Sequence, residues 1–228
     1  MKVVIYGNGQ IAEVAYWYLK KSSLYNIVGF TVQKEFIKKN TFLNLPVVEY
    51  ENLEEYYSPI DFKLFAPISQ HKLNTFREYI YFDSKRRGYE FISYVDSTAK
   101  IETDEIGENC FIFEGNNIQP YTKIGNNCIL WSGNHIGHHS VIEDNVFITS
   151  HVVVSGDCRI KKNCFVGVNA SIKDGTIMEP YSTLGMGGVL TKNTEEYGIY
   201  VGNPAKLLKF AEGKSKKKID TNKDVFLL

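Results

Sequence analysis

The chain has 228 residues, a formal net charge of zero and 43% hydrophobic residues, enough to build a core in one or two domains. The balanced charge excludes a global field that would attract nucleic acid or an anionic membrane, and the apolar runs fall far short of the roughly 18–20 residues of a membrane span. "MKVVIYGNGQ" lacks signal-peptide anatomy and the four cysteines contain no CxxC, so the expectation is a cytoplasmic protein without a disulfide or zinc framework.

"KVVIY" is a short β-branched run that predicts a strand, and it leads into "GNGQ". Ile11, Val14, Ala15, Tyr18 and Leu19 then recur at helical spacing. "YNIVGFTV" and "FKLFAPI" read as further strands. Leu73, Phe76, Arg77 and Ile80 mark a helix within 70–87, and "YEFISYV" reads as a closing strand. Alternation of this kind predicts a small parallel α/β sheet.

After Asp96 the helical spacing disappears and a period of six takes over. From Ile106 to Leu190 every sixth residue is Ile, Leu, Val or Met without a break. The position two before each is mostly small, as in Cys110, Thr122, Cys128, Ser140, Cys158, Cys164 and Ala170. "IGENCFI", "IGNNCIL", "IEDNVFI" and "IKKNCFV" repeat at the longer spacing of three hexads. This is the pattern of a parallel β-helix, with three hexads per triangular coil and neighbouring coils at the strand spacing of roughly 4.8 Å. All four cysteines fall in the small-residue phase and read as small buried hydrophobes. The end of the chain is lysine-rich and reads as a polar tail over 209–228.

Three of the five histidines crowd into "NHIGHHS". On a helix, His135 and His139 would share a face as metal ligands; on a β-helix turn that spacing does not bring them together, and no metal is expected.

The hexad array, the "GNPAK" near its end and the "GNGQ" strand–loop–helix start resemble the hexapeptide-repeat sugar acyltransferases of the sialic acid O-acetyltransferase and bacillosamine N-acetyltransferase type. The resemblance implies a Rossmann-like nucleotide-sugar domain over 1–97 and a left-handed β-helix over 98–208. It further implies acetyl-CoA as cosubstrate, with the donor lying between the β-helices of a homotrimer. The leading expectation is N-acetylation of a nucleotide-linked amino sugar. The alternatives are O-acetylation of a sugar and, from another class, a structural or metal-binding β-helix.

By motif the resemblance makes His138 the general base, since a neutral imidazole can accept the acceptor's proton near working pH. His139 stands where part of the family has an orienting acid. Asp157, one coil on at the same phase, is the candidate substitute, with Glu143 and Asp144 as rivals. His135 is assigned either to the acceptor pocket or to capping the coil, and His151 to another face. Acetyl-CoA is expected along Gly156, Val168, Gly185, Met186 and Gly187, with Lys192 and Lys206 for its phosphates. The Gly156 N–H is the candidate oxyanion donor. The nucleotide is expected at Gly7, Asn8, Gly9 and Gln10, with Asn74 and Arg77 as an N-x-x-R element nearby. Thr31 replaces the acid usual after the second strand, leaving uridine, thymidine and guanosine open.

Overall fold

The computed structural model describes residues 1–211. The lysine-rich tail beyond that lies outside the described residues, but Lys209 and Phe210 belong to a strand and not to the expected tail.

The first half carries a five-stranded sheet in the order β3-β4-β2-β1-β5, formed by β1 (Lys2–Tyr6), β2 (Asn26–Val32), β3 (Thr41–Phe42), β4 (Leu45–Glu49) and β5 (Lys63–Phe65). All pairs are parallel except the short β3–β4 hairpin, which has no counterpart among the strands expected from the sequence. Helix α1 (Gln10–Lys20) buries Ala12, Ala15 and Leu19 on this sheet. After a single short turn, α2 (Leu53–Tyr56), helix α3 (Thr75–Arg86) packs Ile80 and Tyr81 into a second cluster with Tyr50, Leu64 and Tyr89. The "YEFISYV" segment differs from expectation. Phe91 makes one bridge to Leu64, whereas Tyr94–Val95 pairs with Phe111–Ile112 and so starts the next unit.

From Tyr94 to Leu190 the chain winds through two-residue strands that stack in parallel into three sheets, the eight-stranded one ending in the antiparallel pair Gly198–Val201 and Lys206–Phe210. Between Phe111 and Leu190 the paired strands lie 18 residues apart, as in Ile124↔Ile142↔Ile160↔Met178. The hexad aliphatics from Ile112 to Leu190 form one interior core, almost all of them fully buried. Each such side chain contributes on the order of 1.5–3 kcal/mol by leaving water. These hexads and parallel sheets fit a left-handed β-helix.

The corners explain the remaining positions of the repeat. Each hexad turns through one residue in the left-handed region, which gives three columns. The first holds Asn109, Asn127, Asn145, Asn163 and Tyr181; the second Gly115, Gly133, His151 and Gly187 with Asn169; the third Tyr121, His139, Asp157 and Gly175. Gly, Asn, Asp and His tolerate that conformation better than other residues. The small-phase side chains do more than fill space. Thr122, Ser140 and all four cysteines each donate to a carbonyl 15 residues on, as from Cys128 Sγ to Glu143 O at 3.1 Å. A short donor stitches one coil to the next turn, which is why Cys alternates with Ser and Thr here.

The first-half sheet docks on the eight-stranded side of the β-helix, where Phe111, Phe113, Ile129 and Phe147 join Val3, Ile5 and Phe30 in one core. A polar seam runs beside it. Asn109, Asn127 and Asn145 pass side-chain hydrogen bonds up the first corner, at 2.6 and 2.7 Å for the first two steps. Asn163 ends the ladder by donating to Glu78 on α3. Arg77 enters the same seam fully buried, donating to the carbonyls of Ile68, Asn127 and Asn145 and to Asn74 Oδ1. Asn74, also buried, donates to the carbonyls of Asn163 and Cys164. The N-x-x-R element is therefore corrected: its side chains face the β-helix, with no surface left for a nucleotide. Burial pushes the Arg77 guanidinium down to about 10, still high enough for it to remain charged at neutral pH.

Candidate active site

The six-stranded sheet, containing Asn117–Ile118, His135–Ile136, Val153–Val154 and Ser171–Ile172, runs between the second and third corners. His138 and His139 lie on the third corner, both exposed. His139 is the residue with positive φ, at 60°, and this throws its ring out of the turn beside that of His138. The two Nδ1 atoms are 3.1 Å apart and the rings stand at 85°. Tyr121, one coil earlier in the same column, lays its ring against His139 at a centroid distance of 4.7 Å. The His138 N–H donates to Gln119 Oε1 at 2.9 Å.

Gly156 sits beneath the His138 ring. A Cβ there would come within 2.6 Å of His138 Cε1 and 2.8 Å of Nε2. Gly156 is thus buried by the imidazole, and its hydrogen in place of a side chain creates the ring's seat. The spacing of one coil between the two was in the sequence, but it carried no sign of this contact.

Asp157 is exposed, and among the described residues no hydrogen bond joins its carboxylate to either imidazole; its N–H donates to His138 O at 2.8 Å. The orienting role expected of it is corrected, because a left-handed corner directs its side chain outward. The rivals are also occupied elsewhere. Glu143 binds Arg159, and Asp144 Oδ1 accepts from the Asn126 N–H, both beyond the four-stranded face. The neighbour of His138 is His139 itself.

His135 is half-buried on the outer face of the six-stranded sheet, between Asn117 and Val153. His151 belongs to the second corner, where its Nδ1 lies 2.6 Å from the place a Cβ on Gly133 would occupy. Among the described residues no three His, Cys, Asp or Glu side chains gather as a metal site.

The residues expected to hold acetyl-CoA fall on both edges of the six-stranded face. Gly156 and Lys192 follow the His138 column at the third corner. Val168 and Met186 project from the second corner, 41% and 81% exposed. Gly187 has a φ of 64° and open space where a Cβ would stand, and its N–H donates to Val168 O at 2.8 Å. Gly185 is covered by Val201, whose Cγ1 lies 2.9 Å from the place a Cβ would occupy. Lys192 and Lys206 are exposed and make no ion pair among the described residues.

At the first-half loop, Gly7 has a φ of 114°, its N–H donates to Thr31 O, and Asn8 Nδ2 donates to Phe36 O. Gly9 caps α1 with open space in front of it. Thr31 is fully buried, and its Oγ1 has no partner among the described residues. Gln10 borders a cleft between α1 and the second corner, lined further by Glu13, Trp17, Trp131, Glu114 and Ser132. Trp131 stacks on Phe113 at 4.4 Å, and Glu114 accepts from Tyr18 OH and Ser132 Oγ. No sequence pattern announces this cleft, because its members meet only through docking of the two halves.

Two families of repeats match the chain: bacterial transferase hexapeptide (six repeats) over 121–156, and the hexapeptide repeat of succinyl-transferase over 158–192. Among solved structures, a mutant perosamine N-acetyltransferase from Caulobacter crescentus, in complex with CoA and GDP-perosamine, superposes with a TM-score of 0.82 at 20% identity, covering 91% of this chain and 96% of that one. WeeI from Acinetobacter baumannii AYE gives 0.76 at 20% identity, covering 91% and 100%. The acetyltransferase domain of PglB from Neisseria gonorrhoeae FA1090, in complex with acetyl coenzyme A, gives 0.76 at 18% identity, covering 91% and 98%. Residues 121–156 and 158–192 thus match hexapeptide-repeat families, in a chain that has the fold of these acetyltransferase structures.

Proposed function

We propose that the protein is an acetyl-CoA-dependent N-acetyltransferase acting on a nucleotide-linked amino sugar, with His138 as general base. The observation that carries this reading is the exposed His138 imidazole seated on Gly156, with Nδ1 engaged by His139 and Nε2 without a hydrogen bond among the described residues. A positioned imidazole with one free nitrogen is what removal of a proton from an attacking amine requires. The similar structures support this substrate class, since their complexes hold CoA, acetyl coenzyme A or GDP-perosamine.

The residues present fit an acetyl-CoA arm. Gly187 leaves room for close approach, Val168 and Met186 offer apolar surface, and Lys192 and Lys206 offer cations for phosphates. These residues occupy opposite edges of one face, so a donor touching both sets bridges two copies of the chain. That supports the homotrimer, as do exposed Val153, Val168 and Met186 around that face. The first half acts as a Rossmann-like nucleotide domain in this reading. Its parallel sheet presents the Gly7–Gln10 loop at the start of α1, where backbone N–H groups favour a phosphate. The adjoining cleft at Trp131 suits the sugar.

Incubation with acetyl-CoA and a panel of nucleotide amino sugars, followed by mass spectrometry, tests the proposal. Acetylated product that vanishes in His138→Asn supports it. No product with any amino sugar, alongside acetylated hydroxyl sugars, transfers the assignment to O-acetylation.

A further inference from the structure

The contact between the two histidines holds one proton at most, and where that proton resides decides what His138 can do. If His139 donated through Nδ1, the neutral His138 ring would carry its own hydrogen on Nε2 and could not act as a base there. If His138 donates, Nε2 is left with its lone pair. The general-base role therefore fixes both tautomers, hydrogen on Nδ1 in His138 and on Nε2 in His139.

We infer that His139 is a charge-sharing and positioning residue for the acetyl transfer, taking the Nδ1 proton of His138 as Nε2 accepts the proton of the substrate amine. This inference rests on the proposed function. In the step, the amine nitrogen forms a bond to the acetyl carbon and the carbon–sulfur bond of the thioester breaks. The amine proton goes to His138 Nε2. The Nδ1 proton crosses the 3.1 Å gap to His139, so the positive charge passes to the second ring. It returns as His138 hands its Nε2 proton to the leaving sulfur, and both rings end as they began.

Three features support a built pair. The left-handed φ of 60° at His139 brings two successive side chains side by side, which an extended strand would direct to opposite faces. Tyr121 packs against the His139 ring at 4.7 Å and holds its orientation. The groups adjoining His139 in the corner column are Tyr121 and Asp157, and Asp157 forms no bond to either ring. A carboxylate therefore does not take the Nδ1 proton. The acceptor within reach among the described residues is an imidazole, which unlike an amide can become a cation.

Long-range proton–nitrogen NMR correlation on the full chain labelled at histidine, assigned through His138→Asn and His139→Asn, reads the tautomers of the resting protein without any substrate. Hydrogen on Nδ1 of His138 and Nε2 of His139 is the expected result; hydrogen on Nε2 of His138 overturns the inference. Kinetics supply the second reading. In His139→Asn the amide oxygen still accepts from Nδ1 but cannot take the proton, so kcat falls by part of the roughly 10²–10⁴-fold that general-base help contributes while KM for acetyl-CoA is unchanged. An unchanged kcat overturns charge sharing while leaving acetyl transfer intact. Absence of transfer by the wild-type protein is a separate result and counts against the proposed function instead.

Discussion

Gly156→Ala is the sharpest perturbation of the site, because it adds one methyl group where the imidazole rests. That carbon would stand 2.6 Å from Cε1, 2.8 Å from Nε2 and 3.1 Å from Nδ1 of His138, all well inside van der Waals contact. Gly156 does not have a positive φ, so alanine brings no backbone strain of that kind. The ring is exposed and swings away toward solvent, losing its bond to His139. The stability cost is small, about 1 kcal/mol for one exposed hydrogen bond. Under the proposed function the catalytic cost is much larger, since a misplaced base forfeits up to about 10²–10⁴-fold in kcat. Release of CoA thiol followed with Ellman's reagent measures the rate, and urea unfolding measures stability. A variant with wild-type kcat would refute the idea that the seat under the ring matters. Equal loss of rate and fold would show that glycine is needed for the coil and not for the histidine.

Arg77→Met should lower stability by about 3 kcal/mol or more, because it strands buried carbonyls of Ile68, Asn127 and Asn145 together. Arg77→Lys should rescue little, since one ammonium cannot span those acceptors; the urea midpoint of each variant is the check. The four buried cysteines should resist Ellman's reagent in the folded protein and react fully in denaturant, with burial pushing the Cys164 thiol up to about 12. Burial also pushes Tyr18 up to about 12 and raises Tyr6, Tyr50, Tyr81, Tyr89 and Tyr94. These phenols keep their protons in the fold but lose them near pH 10 when unfolded, so their stabilisation is complete below that pH and declines as pH rises toward 12. Absorbance at 295 nm alongside circular dichroism tests this. Phenolate appearing near pH 10 while the fold persists would contradict it.

The β-helix is legible in the sequence because its rule is one-dimensional: a side chain every sixth residue either points inward or does not, and Ile106 to Leu190 obey it. The motif resemblance names His138 and Gly156 separately, and the structure adds that the His138 imidazole rests on Gly156. What escapes depends on how the halves dock. Asn74 and Arg77 look like ligand-facing polar residues on a helix, and only their partners on the first corner reveal a buried seam. A clue is present in the asparagines of "GENC", "GNNC", "EDNV" and "KKNC", which recur one per coil, but nothing local says that a guanidinium joins them. Asp157 differs from expectation for another reason. Sharing a phase with His139 brings the backbones together, whereas the left-handed corner decides where the carboxylate goes. The Trp131 cleft has no signature in sequence, since Gln10 and Ser132 are neighbours only in space.

The asparagine ladder makes the molecule count its own turns. Its last rung meets Glu78, and Arg77 grips two rungs at fixed heights, so α3 serves as a gauge laid along the stack. Removing or duplicating a whole winding would keep every remaining interior aliphatic in phase and still misalign this gauge. A coil added past Asn163 would leave the ladder and its contacts with α3 as they are.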